Sequence, residues 1–448
     1  MKIDTLSQTP WCSKSAWWVG TVGLLVFAVG LSTGKALLGL GLLMMLAGIV
    51  LDYKNFLRAL ALSRPLQMIF LFVLYVWTRT ACAILEGDVQ PWELLEGARK
   101  YSGILIIVVV AWWFGGSEGR IKRFFILTAA AMVLNTLIVS GMGFETIGMG
   151  RGFELKIPTL MLTYSFFGAL VCVWLFSYSG SLIGIGRQPQ KYMLLRASVL
   201  IFSFSVVFLL IVSLEARASV ASLLFALLFL GAALFVRFFL MSKTRSHRFY
   251  ALTAAIVLSA AVIGLTIWNH KLIVDRFLQE KSTFEHLLSM EELENTPVSS
   301  TGHRVHLARL AVTLFIQKPL FGQGWGGIDE HIKGSDIIPQ ETRQFVHFHN
   351  GILEGLVAWG LVGAFFVLLF FVFLLRDMLN AFRSKQISLE LAFFLCGGFI
   401  VFLASALTES FGMRTTQWAY SALLFGVMLS FSAGFTSRSV VSPSARST

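Results

Sequence analysis

Residues 350–375 read Asn350-Gly-Ile-Leu-Glu-Gly-Leu-Val-Ala-Trp-Gly-Leu-Val-Gly-Ala-Phe-Phe-Val-Leu-Leu-Phe-Phe-Val-Phe-Leu-Leu375. A helix needs about 20 largely apolar residues to cross a bilayer. This stretch exceeds that length, and no comparable run is needed inside a water-soluble core. Working outward, similar runs occupy 17–33, 36–51, 65–85, 101–115, 124–143, 159–179, 197–214, 219–236, 249–268, 389–408 and 416–435. The run at 101–115 is short and extends backwards past Lys100. The predicted fold is an all-α polytopic membrane protein with about 12 transmembrane helices.

Composition agrees. Of 448 residues, 56% are hydrophobic and 13% charged, against roughly 25% charged in a soluble domain. That excludes a water-soluble fold, a disordered chain and a secreted disulfide scaffold. The net charge of +12 is spread between the apolar runs, as suits membrane orientation and not nucleic-acid binding. With the N-terminus inside, 20 Lys and Arg fall in cytoplasmic segments and 7 in short outer loops. This bias predicts cytoplasmic termini. It divides the chain into 1–268 (spans 1–9), a helical periplasmic domain at 269–349, and 350–448 (spans 10–12 and a cytoplasmic tail). Cys12, Cys82, Cys172 and Cys396 show neither a disulfide framework nor metal-ligand spacing.

Polar residues at the outer ends of these spans are the candidates for chemistry. Arg217 sits in Ser213-Leu-Glu-Ala-Arg-Ala-Ser219, a hairpin tight enough to hold it at the interface. It reads as a phosphate ligand, or as an Arg that snorkels to headgroups or pairs with Glu215. On a helix over 302–317, Arg309, His306, Thr313 and Gln317 form one polar stripe. Leu307, Ala308, Ala311, Leu314 and Phe315 lie opposite, with Arg304 among them. Arg304 therefore reads as facing an occupied cleft, or as capping an irregular helix start.

His347-Phe-His349-Asn350 is the sharpest cluster. It places His349 and Asn350 at a helix N-terminus, which attracts anions and disfavours imidazolium. A neutral His beside a phosphate is a candidate general base. The competing readings are half a metal site lacking a spaced third ligand, and a simple Asn N-cap. Alternation along an extended approach points the two rings in opposite directions. Further candidates are Arg79 inside the third span, Arg151 in Gly148-Met-Gly-Arg-Gly152, and Glu409 closing the eleventh span. Gly322-Gln-Gly-Trp-Gly-Gly327 lacks the strand and the Lys-Ser/Thr of a phosphate loop.

Three elements together resemble the O-antigen ligase and polymerase superfamily of polytopic glycosyltransferases. They are the Ser-x-x-x-Arg-x-Ser hairpin; Gly302-His-Arg304 with Pro319-Leu-Phe-Gly-Gln-Gly324; and His347-x-His349-Asn350 followed by Leu353-Glu354 and Gly360-Leu-Val-Gly363. They cover roughly residues 200–375, and the chain looks most like the ligase branch. The resemblance implies transfer of O-antigen polysaccharide from undecaprenyl diphosphate to a sugar hydroxyl of lipid A–core at the periplasmic face of a Gram-negative inner membrane. It implies no cofactor, no metal and no nucleotide. By the same resemblance Arg217 and Arg304 bind the diphosphate and His349 is the base. Arg309 matches a less constant Arg, and His347 and Asn350 match neighbours of less fixed role. Rival readings are an O-antigen polymerase, a protein O-oligosaccharyltransferase and a secondary transporter. The first two share the donor. The third has no use for a His- and Arg-rich outer segment.

Overall fold

A computed structural model describes residues 14–87, 90–139, 161–183, 193–213, 217–241, 270–289, 293–324, 326–409 and 415–436. The described residues are helical, without strands. The helices are α1 (Lys14–Thr33), α2 (Lys35–Leu51), α3 (Tyr53–Leu62), α4 (Arg64–Glu86), α5 (Pro91–Tyr101), α6 (Leu105–Phe114), α7 (Glu118–Val139), α8 (Met161–Ser177), α9 (Ser179–Ile183), α10 (Met193–Ser213), α11 (Arg217–Met241), α12 (His270–Leu288), α13 (Ser300–Gln317), α14 (Ile328–Lys333), α15 (Gly351–Arg383), α16 (Leu389–Ala406), α17 (Thr415–Leu429) and α18 (Ala433–Thr436).

Five helices among the described residues are long and apolar enough to cross a membrane: α1, α4, α7, α15 and α16. A sixth span arises if α2 and α3, bent by 88°, count as one. Shorter apolar helices lie at Ser165–Ser177, Leu195–Ile211, Ala218–Ala233 and Trp418–Leu429. The expected span 249–268 falls outside the described residues, as does Arg151. The run at 101–115 does extend past Lys100, but as α5, a 3-10 turn at Ser102–Ile104, and α6.

Local sequence explains the helix ends. Ser63 caps α4 through Leu66 N–H, with Pro65 in the first turn, and Gly87 closes it in the left-handed region at φ 79°, where Gly carries no steric penalty. Ser388 caps α16 through Leu391 N–H. α6 is apolar all round and buried from Ile106 to Phe114, as a helix at the centre of a bundle must be. It packs on α17. Large apolar side chains such as Leu43, Leu74 and Leu85 are exposed instead; on membrane helices this surface faces lipid.

α15 is broken at Gly360, whose φ is 62° and ψ −167°. A break inside a span frees backbone groups that lipid cannot hydrogen-bond. Here the loop after α13 takes them up. Leu361 and Val362 N–H donate to Pro319 and Leu320 carbonyls at 2.8 and 3.0 Å, and Gln323 and Gly324 N–H donate to Val357 and Ala358 carbonyls at 2.7 and 3.2 Å. A Cβ on Gly322 would strike Ala358 backbone, and one on Gly360 would strike Leu320 backbone. The Pro319–Gly324 and Gly360–Gly363 motifs, distant in sequence, are thus the two halves of one joint.

The segment between α12 and α15 builds a second small core from Leu307, Leu310, Ala311, Leu314, Ile328, Ile332, Ile338 and Phe348, together with Val357 of α15. Ser299 caps α13 and donates to Glu280 Oε2 at 2.6 Å, and Thr301 N–H donates to the same oxygen at 3.2 Å. This ties α12 to α13.

Candidate active site

The site forms where three chain segments meet: the start of α13, the start of α15 and the end of α16. Asn350 caps α15, its Oδ1 accepting from Ile352 and Leu353 N–H at 3.1 and 3.0 Å. The N-cap reading of Asn350 is therefore what the structure shows. Gly351 N–H donates to the Glu409 carbonyl at 3.0 Å, pinning this helix start to the end of α16.

Glu409 lies between two of the predicted residues. Its Oε1 is 3.6 Å from Arg304 Nη2, and its Oε2 is 3.7 Å from His349 Nδ1. Arg304 Nη1 also donates to the Thr408 carbonyl at 2.6 Å. His349 Nδ1 is buried and has no hydrogen-bond partner among the described residues. A separation of 3.7 Å is too long for a hydrogen bond, but such contacts commonly tighten once substrate binds. With a carboxylate on the Nδ1 side, the proton of a neutral imidazole belongs on Nδ1 and the lone pair on Nε2.

His349 has φ 52°. A non-glycine residue in this region is uncommon and is held there by its surroundings. Phe348 N–H donates to Glu354 Oε2 at 3.4 Å, Glu354 N–H donates to the Asn350 carbonyl at 2.9 Å, and the Glu354 side chain is 1% exposed. The turn at His349 overturns the expected alternation of the two imidazoles. Their ring centroids are 4.1 Å apart at 76°, so His347 packs edge-on against His349 instead of pointing away. Phe345 contacts His349 from another side, with centroids 5.2 Å apart.

The helical projection of α13 is corrected in part. Leu307, Ala311 and Leu314 are buried as expected, but His306 of the polar stripe is 0% exposed. Its Nε2 lies 2.9 Å from the Thr296 carbonyl. Arg309 is not a solvated charge either. It is 25% exposed, pairs with Glu294 at 3.1 Å and donates to the Ile337 carbonyl at 3.3 Å. Arg304, at 39%, is the more accessible guanidinium. The stripe faces the 293–342 segment, a second packing surface that a single projected helix does not reveal.

Arg217 opens α11; its side chain lies outside the described residues. The helix it begins is anchored nearby. Ser219 and Ser165 hydroxyls are 2.8 Å apart, and Ser405 donates to Ser222 at 3.4 Å. Glu409 N–H donates to the Ser405 carbonyl at 2.9 Å, so the first turns of α11 lie against the helix end that carries Glu409. Arg79 faces the interior, as expected, but serves elsewhere. It grips Glu86 at 2.9 and 3.1 Å and the carbonyls of Phe321 and Gly322.

His303 shares the neighbourhood, its Nδ1 2.9 Å from Thr342 Oγ1. Burial, reinforced by the His306 imidazole, holds its pKa below the usual histidine value. Burial pushes the Glu280 carboxyl up, but hydrogen bonds from Ser299 and Thr301 outweigh it and hold the group below the usual carboxylate range. Among the described residues, no three His, Cys, Asp or Glu side chains gather as a metal site.

The helices and this Arg–Glu–His cluster define a multi-pass membrane protein with a polar site at the ends of its spans. Residues 202–368 match the family described as O-Antigen ligase. That match supports the O-antigen ligase superfamily for this part of the chain and points to a glycosyltransferase-like enzyme. The match takes in Arg217, Arg304, His347 and His349 and ends before Glu409. No curated protein matches the chain.

Proposed function

We propose that this chain is an O-antigen ligase, transferring polysaccharide from undecaprenyl diphosphate to a sugar hydroxyl of lipid A–core at the periplasmic face of the inner membrane. The observation that carries the proposal is the convergence of Arg304 and His349 on Glu409 at the start of α15. His349 Nε2 takes the acceptor proton as the hydroxyl oxygen attacks the anomeric carbon. The bond from that carbon to the diphosphate oxygen breaks, and configuration inverts. Arg304, with Arg217 from the adjoining helix, neutralises the departing diphosphate, a group that a guanidinium fork matches through two oxygens. Glu409 orients the imidazole and stabilises the imidazolium that forms, as the carboxylate of a Ser-His-Asp triad does. Arg304 and imidazolium together offset the Glu409 charge, so the carboxylate does not repel the donor.

The step requires no redox or nucleotide cofactor, and in this reading Arg304 and Arg217 neutralise the diphosphate as a divalent ion would. The test mixes purified protein with lipid-linked O-antigen and lipid A–core in chelator. A glycan ladder on the core is the expected result. A ladder only on a second lipid-linked glycan would make the enzyme a polymerase, and dependence on one divalent ion would refute the metal-free step.

A further inference from the structure

The turn that follows α13 carries apolar side chains on its outside. Ile316, Leu320 and Phe321 are 69, 56 and 54% exposed, and Val312, one helical turn before Ile316, is exposed as well. Facing water, a contiguous apolar surface of this kind invites a partner. The turn shares a groove with two spans. A cavity of about 740 Å³ is walled by Leu71 and Leu74 of α4, Leu320 and Phe321 of the turn, and Val362 and Phe366 of α15. Leu71, Leu74, Leu361 and Phe365 are exposed on those two helices. The apolar face of the turn therefore continues the lipid-facing surface of α4 and α15.

The backbone of the turn is closed off from solvent. The five consecutive carbonyls of residues 318–322 all accept from protein donors. The Lys318 carbonyl takes Gly322 N–H at 2.9 Å, and those of Pro319 and Leu320 take Leu361 and Val362 N–H. The carbonyls of Phe321 and Gly322 take Arg79 Nε and Nη2 at 3.3 and 3.1 Å. A loop running over a wet surface can leave such groups to water. Irregular backbone at membrane depth has to find its partners inside the protein, and buried Arg79 supplies two of them.

Depth follows from α4. Its 23 residues extend about 34 Å, against a bilayer core about 30 Å thick, so its ends lie near the two boundaries. Glu86 closes the helix, and Lys318 Nζ reaches its carboxylate at 3.0 Å. Arg79, which holds the turn, lies seven residues before Glu86, about 10 Å deeper along the axis. We propose that residues 312–321 dip into the bilayer and that acyl chains of that leaflet cover Ile316, Leu320 and Phe321. Arg304 precedes Ile316 by 12 residues on the same helix, about 18 Å. A helix rooted in lipid at one end thus carries a candidate site residue near the other. The proposal rests on membrane embedding and not on the transferase reading.

Two measurements on the purified wild-type chain, reconstituted in vesicles of phosphatidylcholine and phosphatidylglycerol, test it. The first includes phosphatidylcholine with a diazirine on its acyl chain, and maps adducts by mass spectrometry after illumination. Adducts are expected at Ile316, Leu320 and Phe321 as at Leu71 and Leu74, and none over residues 329–343. The second exposes the same vesicles to hydroxyl radicals. Leu320 should oxidise several-fold more slowly than Leu293, although the two are 56 and 50% exposed in the structure. Adducts on α4 with none at residues 316–321 overturn the proposal, as does equal oxidation of Leu320 and Leu293. Slow oxidation of Leu320 without lipid adducts also overturns it, and would give this face to a second copy of the chain.

Discussion

The carboxylate of Glu409 lies 3.7 Å from Nδ1 of His349, although 60 residues separate the two in sequence. The backbone reinforces the approach, since the Glu409 carbonyl accepts the first N–H of α15. In the proposed reaction Glu409 orients His349 and favours the tautomer protonated on Nδ1. Glu409→Gln keeps the shape and removes the charge. It should forfeit about 1.5–3 kcal/mol of charge-assisted interaction, roughly ten- to a hundredfold in turnover, with donor KM changed little. A steady-state comparison of the two parameters checks this. A rise in KM alone would place Glu409 in donor binding instead.

Arg304 and Arg309 should separate cleanly. Arg304→Ala is expected to abolish nearly all transfer and Arg304→Lys to restore only part, because an ammonium cannot reproduce a bidentate fork. Arg309→Ala removes the Glu294 pair and the bond to the Ile337 carbonyl. It should lower the melting temperature while leaving turnover per folded molecule within about threefold, as befits a partly exposed pair. Thermal unfolding in detergent beside the transfer assay distinguishes the two outcomes, and equal loss of turnover at both positions would contradict the assignment.

Much of this arrangement is legible in the chain, and the reasons for the rest are physical. Apolar runs announce helices because lipid leaves the backbone few alternatives. Asn350 reads as a cap because its side chain follows a local rule. Arg304 stands out as a cation among apolar neighbours. The partner that joins Arg304 to His349 cannot be read from spacing, since Glu409 arrives from another helix. The ring contact between His347 and His349 depends on a positive φ that a histidine seldom adopts. The burial of His306 depends on a segment packing over α13, which projection of one helix omits. Arg79 was legible as interior-facing, but its hold on the loop carbonyls belongs to the tertiary structure.

The joint at Gly360 should tolerate no side chain. Gly360→Ala puts a side chain at φ 62° and ψ −167°, a region essentially reserved for glycine, at about 1–3 kcal/mol, and drives a methyl into the Leu320 backbone. Because the joint also holds the Pro319–Gly324 loop, the variant should melt at least several degrees lower, by the usual relation of stability to melting temperature. An unchanged melting curve would show that the break in α15 does not need this glycine.

Acid should loosen the α12–α13 junction. His303 has a depressed pKa, so the stability gained from its neutral form is present above about pH 6.5 and is lost as pH falls below that value. Glu280 is also depressed, so its contribution is present above about pH 4.3 and is lost as pH falls through the lower folded value. Both act in the same direction. Hydrogen exchange over residues 293–317, corrected for intrinsic rate, should show less protection at pH 5.5 than at pH 7.5, and still less at pH 4. Equal or greater protection in acid would contradict the geometry of Ser299, Glu280 and His303.

The central claim is that His349 carries the proton of the acceptor. The most direct measurement is single-turnover transfer by purified His349→Ala, with lipid-linked O-antigen as donor and lipid A–core as acceptor, and donor binding measured separately on the same preparation. Loss of a general base costs about 10²–10⁴ in rate. The account predicts a fall of that size with donor affinity nearly unchanged. It also predicts a smaller fall for His347→Ala, whose ring packs against that of His349. Normal donor binding with near wild-type transfer by His349→Ala would contradict the claim and leave Glu409 as the group to test as base.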